Sequence, residues 1–373
     1  METIFASLIN INIEPPIMDV IDLSNTDISG IREKIPKNII RHLVLSGGGC
    51  WGLYMHGILS EATKTGFIQK SDIQTIHCSS VGGVAAIFFA LDYEEIVIHD
   101  YLVKRPWKNV FKRGSNTFIE MYEKYGIFTI KAFEDIFEPL FTAADLSLNI
   151  TLLEFYQHTG VEIHMYATEL NTYKIVDFSY KTYPDWRVCD AIYASSTVPI
   201  IFSPIITENS CYIDGGFLAN YPIRQLLESL QVDPDSQSLN TSEILGINIV
   251  DQKECIHITS NSFISIEHFL FFVFYKIMEY FGSFQRKINI LYEIEIVKCI
   301  SILSFSCNTI FFSEYRENII ESGRQMFREH ALKWWSVEAE SPVDGHTDNI
   351  LFDSSAKPDL SEKLESLIEN VYE

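Results

Sequence analysis

Positive charge is scarce in this chain. Over 373 residues, 28 Lys and Arg stand against 50 Asp and Glu, a net charge of −22. A nucleic-acid binder needs a cationic face to displace counterions, so that class of partner is excluded. The same deficit opposes broad adhesion to anionic membranes and leaves only a local basic patch able to dock. No C-x-x-C pair occurs, and the cysteines are odd in number: Cys50, Cys78, Cys189, Cys211, Cys255, Cys299 and Cys307. They read as reduced, mostly buried thiols of an intracellular, cytoplasmic protein, not as a disulfide frame or zinc site. Residue spacing gives no metal-ligand cluster either, so neither a metal nor a cofactor is expected. A long uncharged apolar run is also missing. The most apolar stretch, FISIEHFLFFVFYKIMEYF, carries Glu267, His268, Lys276 and Glu279, which a membrane-crossing helix rarely tolerates; it reads as a core helix. The opening METIFASLININIEPPIMDV has no basic region and is broken by Glu14, Pro15 and Pro16, unlike a signal peptide.

What is present is a globular composition, 47% hydrophobic, in a chain long enough for one large domain or two ordinary ones. Residues 1–38 read as a leader. HLVLS (His42 to Ser46) and IQTIHCSS read as buried strands, each followed by glycines and then by a helical apolar pattern. This alternation predicts an α/β fold with a largely parallel sheet. VEIHMYATEL, YKIVDFS, CYIDGG and EILGINIV read as further strands, and 260–335 as an amphipathic helical extension. From Glu338 to Glu373 ten acidic residues face two basic ones, the composition of an acidic, mobile tail.

Gly47, Gly49 and Gly52 satisfy G-x-G-x-x-G between a strand and a helix. A dinucleotide fold also wants an acidic residue at the end of the second strand. Here Asp72 precedes that strand, whose end carries Cys78, Ser79 and Ser80. No Walker lysine follows the glycines. A nucleotide-binding oxidoreductase therefore has only the glycines in its favour. What remains is a set of backbone N–H groups suited to an anion, including one that exists only in a transition state.

CSSVGG has the form of a nucleophile elbow, in which a strained strand-to-helix turn projects a serine oxygen. The turn needs small residues two positions to either side. Ser80 has Gly82 at plus two, whereas Ser79 would have Val81; Ser80 is the better candidate, with Cys78 where glycine is usual. In YIDGGFLANYPI, Asp214 ends a strand and Gly215 and Gly216 free the backbone beside it. An Asp-Gly turn explains this segment taken alone. A serine also needs a base, and of the late histidines, His330 and His346 lie in polar surroundings with no strand before them.

Taken together, LVLSGGGCWG, CSSVGG and ASSTVPIIFSPI…YIDGGFLANYPI, with ATELNTYKIVDFS between them, resemble the patatin-like phospholipase family over His42 to Leu230 and the strand at Leu245 to Val250. The resemblance implies a three-layer α/β/α fold with a mainly parallel central sheet and added C-terminal helices, spanning 39–337 with its motifs in 42–250. It implies a calcium-independent carboxylic ester hydrolase that releases fatty acid from phospholipid or another acyl lipid at a membrane or lipid-droplet surface. By motif, Ser80 is the nucleophile and Asp214 its base, with no catalytic histidine. Gly47, Gly48, Gly49 and the N–H of Val81 form the oxyanion hole. Cys78 and Trp51 depart from the family pattern, which has glycine at the first position and often lysine or arginine at the second. They motivate a rival reading, a lipid-binding homologue without catalysis. The basic segment YLVKRPWKNVFKRG, with Lys104, Arg105, Lys108, Lys112 and Arg113, reads as a solvated helix face or, more sharply, as a lipid-phosphate contact.

Overall fold

The computed structural model describes residues 39–112, 122–236, 239–251, 287–298 and 308–339, with single residues between 269 and 280. Two compact units divide the chain, Met1–Trp335 and Ser336–Glu373, and the sheet and site belong to the first. The leader at 1–38 and, beyond residue 339, the acidic tail lie outside the described residues, as does most of the apolar stretch at 263–281.

The HLVL run forms β1 (His42–Leu45), buried along its length, as a strand covered on both faces must be. A 3-10 turn leads into α1 (Gly52–Lys64), whose inner face is Met55, Ile58, Leu59 and Ala62. β2 (Thr75–Ser79) runs into α2 (Val81–Ala90), followed by α3 (Glu95–Lys104) and the short α4 (Trp107–Val110). Next come β3 (Gly126–Phe128), α5 (Lys131–Ala143), α6 (Leu152–Thr159), β4 (Glu162–Glu169), β5 (Lys174–Phe178) and α7 (Val188–Ser196). The chain continues through β6 (Ile200–Phe202), β7 (Ile205–Ile206), β8 (Cys211–Asp214), α8 (Ile223–Ser229), β9 (Ile244–Asp251), β10 (Tyr292–Lys298) and α9 (Ser313–Ala339).

The main sheet has the order β10-β9-β1-β2-β4-β8-β7, with β5 paired to β4. From β10 to β4 every pairing is parallel; β5, β8 and β7 join antiparallel. Alternation along β1 divides the core into two layers. Val44 faces a cluster with Ile223, Leu226 and Leu227 of α8, while Leu43 and Leu45 face the larger cluster that holds α1, α2 and α9. The architecture is α/β/α with a mainly parallel sheet.

The helical reading of 260–335 is corrected at β10. There Tyr292, Ile294 and Ile296 are buried, alternating with Glu293 and Glu295. That period of two belongs to a strand, and β10 lies parallel along β9 from Tyr292 opposite Leu245 to Lys298 opposite Asp251. A helix does follow: α9 packs on α1 at contact distance, since a Cβ on Gly57 would lie 2.1 Å from the Ile320 carbonyl oxygen and one on Gly323 2.3 Å from that of Tyr54. Beside this crossing the buried Glu61 accepts two hydrogen bonds from Arg328, at 2.9 and 3.1 Å.

Candidate active site

Register alone brings the motif residues level with one another. Leu45 pairs with Cys78 across β1 and β2, so two residues on, Gly47 meets Ser80; a Cβ on Gly47 would lie 3.2 Å from the Cβ of Ser80. Ser79 pairs with Tyr166, and the next residue of β4, Ala167, pairs with Asp214. Ser80 and Asp214 thus flank β4 from opposite sides, level with Tyr166 and Ala167.

The turn between β2 and α2 holds Ser80 at φ 50, ψ −126, a backbone region non-glycine residues occupy at a cost of about 1–3 kcal/mol. Two contacts fix it there. The Ser80 N–H donates to Ser195 Oγ at 2.9 Å, and Ser195 O–H donates to the Tyr166 carbonyl at 2.6 Å. Gly82 lets α2 begin against β1, because a Cβ there would sit 2.4 Å from the Leu45 carbonyl oxygen. The neighbouring Ser79 is wholly buried with its hydroxyl unpartnered, in the position where a Cβ on Gly215 would strike it. Of the two serines, Ser80 alone lines the cavity described below.

Asp214 is held as firmly. Its N–H donates to the Thr197 carbonyl at 3.1 Å and its carbonyl accepts from Thr168 Oγ1 at 3.1 Å. Oδ1 accepts from the Gly216 N–H at 2.6 Å, and Gly215 lets this turn lie against β4, since a Cβ there would sit 2.1 Å from the Tyr166 carbonyl oxygen. Oδ2 is buried with no hydrogen bond of ordinary geometry. The Ser80 hydroxyl approaches the carboxylate in a looser contact that favours its ionised form, the kind of contact that tightens when substrate binds. Burial dominates the electrostatics: it pushes the Asp214 pKa up to about 6, against the Gly216 N–H, the Ser80 hydroxyl and the more distant Lys298, all of which lower it. At neutral pH the carboxylate is therefore ionised and considerably more basic than an ordinary one. No described histidine hydrogen-bonds Ser80 or Asp214, and His330 is occupied with the Met326 carbonyl.

The glycine loop is more selective than its sequence implies. The Gly47 N–H donates to the Asn220 carbonyl at 2.9 Å. In this structure that donor is engaged within the fold. Gly48 caps and Gly49 opens the 3-10 turn, and Val81 opens α2, positions whose N–H groups have no acceptor within the helix. Gly49 takes φ 59, a left-handed turn that glycine adopts without strain.

Ser80 and Asp214 open onto a cavity of about 1030 Å³. Its wall is mostly apolar and aromatic, with Phe88, Phe89, Trp107, Phe133 and Phe202 among the lining residues.

A profile of the patatin-like phospholipase family matches residues 43–227. This segment belongs to that family. A probable lipid hydrolase of Invertebrate iridescent virus 6 is 30% identical over 186 residues, which are 48% of this chain and 61% of that relative. An uncharacterised protein of Acanthamoeba polyphaga mimivirus is 27% identical over 191 residues, 51% of this chain and 63% of that relative. The match thus spans somewhat under two thirds of each. Among solved structures, VipD from Legionella pneumophila shares 14% identity at a TM-score of 0.43, covering 80% of this chain and 67% of its own. ExoU of the Pseudomonas aeruginosa type III secretion system, in complex with SpcU, shares 14% at 0.38, covering 80% and 53%.

The two departures from the patatin-like pattern fall in the core. The Trp51 side chain is buried. Cys78 is fully buried and its Sγ donates to the His164 carbonyl at 3.3 Å; burial pushes its thiol pKa well up, so it is an inert packing thiol. The basic segment is divided by Pro106. Arg105 is bound to Tyr101 and the Asp135 carbonyl and stacks on Tyr101 and Trp107. Lys104 pairs with Asp100 at 2.6 Å, and Trp107 lines the cavity instead of the surface. Lys108 and Lys112 are exposed, and Arg113 and Gly114 lie outside the described residues. Among the described residues, no helix is long and apolar enough to cross a membrane.

Several residues of the site carry no motif of their own. Ser195 and Thr197 stand inside the quoted ASSTVP run, which was their only signal. Lys298 could not be placed without β10. His56, Glu95 and His99 also went unseen: the structure brings one potential ligand atom from each to within 4.8 Å of the others on the cavity wall. Spacing finds no metal-ligand set because His56 and the other two lie on different helices.

Proposed function

We propose that the protein is a lipid acyl hydrolase of the phospholipase A type, calcium-independent, with Ser80 as nucleophile and Asp214 as its base. The observation that carries this reading is the strained Ser80 facing a buried, basic carboxylate at the mouth of an apolar cavity. Asp214 takes the Ser80 proton as the oxygen attacks the ester carbonyl. The N–H groups of Gly48, Gly49 and Val81 receive the oxyanion, where each donor is worth about 10²–10³ in turnover. Asp214 returns the proton to the leaving alcohol, and a second cycle with water frees the fatty acid and restores Ser80. The substrate is a phospholipid or another acyl lipid met at a membrane or lipid-droplet surface, and the protein works from the cytoplasm.

The test is product analysis on a panel of phospholipids and triacylglycerol. Ser80→Ala should abolish fatty-acid release and Ser79→Ala should keep most of it, with a calcium chelator leaving the parent rate unchanged. A parent that binds lipid vesicles and releases no acid would favour the non-catalytic homologue.

A further inference from the structure

We propose that His56 of α1 with Glu95 and His99 of α3 forms a binding site for a first-row divalent transition metal, best suited to zinc, in the cavity wall. The inference is independent of the reaction proposed for Ser80. Two imidazoles and one carboxylate are a zinc-type donor set, whereas calcium and magnesium prefer oxygen ligands throughout. Glu95 and His99 are four apart on one helix and so share a face. The potential ligand atoms already lie within 4.8 Å of one another; ligands about 2.0–2.1 Å from a tetrahedral ion are roughly 3.4 Å apart, so rotations of about 1 Å close the site.

Each imidazole carries its own sign of the role. His56 Nε2 is buried without a hydrogen-bond partner among the described residues, a costly state for a polar atom that a metal ion relieves. His99 points its two nitrogens to different tasks. Nδ1 lies 3.2 Å from Arg324 Nη2, and Nε2 lies 3.1 Å from Glu317 Oε2. An arginine can only donate, so Nδ1 is the acceptor and Nε2–H donates to Glu317. A carboxylate on the far nitrogen is the usual support of a metal-binding histidine.

The same Arg324 nitrogen is 2.6 Å from Glu95 Oε1. One cationic group therefore bridges two of the three ligands, at the place a metal ion would take. Arg324 also holds Glu321 at 2.9 Å, which gives it a second anchor when it leaves Glu95. Metal and guanidinium compete for one site. All three ligands line the cavity, so an oxygen ligand from the cavity completes the coordination.

The protein, freed of metal, is titrated with zinc by calorimetry and with cobalt by visible absorption. The parent should bind one ion per chain, with the ligand-field bands of tetrahedral cobalt and without a thiolate charge-transfer band. His56→Ala and His99→Ala should each weaken binding at least about a hundredfold, and Glu317→Gln by about 10–100-fold. Arg324→Gln should tighten it about tenfold, a gain that a misfolded variant would not give. The proposal is overturned if His99→Ala binds within twofold of the parent, if Arg324→Gln is no tighter, or if a thiolate band shows that cysteines hold the ion.

Discussion

Replacing Asp214 by asparagine removes one titrating group whose burial the structure makes costly. Its pKa rises from an ordinary 3.8 to about 6 in the fold, which at 1.36 kcal/mol per pKa unit is about 3 kcal/mol. The native state holds this proton more tightly than the unfolded chain. The stabilisation is complete below pH 3.8 and is lost as pH climbs to about 6, because the unfolded chain ionises first. The stability of the parent minus that of Asp214→Asn should therefore fall by about 3 kcal/mol between pH 3.5 and pH 7 and be flat above that. Taking the difference cancels every titration the two proteins share, and the asparagine amide adds an offset that does not vary with pH. Urea unfolding of dilute protein, followed by tryptophan fluorescence, measures it. The kinetic counterpart is an acid limb in kcat/KM on a soluble ester with an apparent pKa near 6, since only the ionised carboxylate accepts the Ser80 proton. A stability difference that does not change with pH, together with an acid limb near 4, would refute the burial of Asp214 as the source of its basicity.

Ser195→Ala should lower turnover about 10²-fold by releasing the Ser80 turn, and should cost about 1–3 kcal/mol through the stranded Tyr166 carbonyl and Ser80 N–H; KM should change little in a rate-against-substrate series. Gly82→Ala forces α2 away from the Leu45 carbonyl and should cost about 1–3 kcal/mol in urea unfolding, with loss of activity exceeding the loss of folded protein. Arg328→Met leaves Glu61 buried without its cation and should destabilise by about 3–5 kcal/mol, measured by the same unfolding, while the remaining folded protein keeps its kcat.

Most of the main-sheet strands, and the turns that close β1, β2 and β8, are legible in local sequence; β7 and β10, and the small β3–β6 pair, are not. HLVLS runs straight into glycines, CSS ends the second strand ahead of Val81 and Gly82, and EILGINIV is a β-branched apolar run, the composition that a strand buried on both faces favours. Ser-x-Gly at a strand end states a local steric need, and Ser80 meets it at φ 50. β10 was hidden because Glu293 and Glu295 sit in a stretch that also satisfies a helical pattern; pairing with β9 decides for the strand. Contacts between distant segments set the rest. They placed Asp214 beside Ser80 through the register of β2, β4 and β8, and they raised the carboxylate pKa by removing water from around it. They took the Gly47 N–H for the Asn220 carbonyl, turned Arg105 inward, and drew His56 to Glu95 and His99. Local patterns report what a turn or strand requires of its own residues; solvation, register and the partner of a given donor depend on which distant segment the folded chain lays beside it.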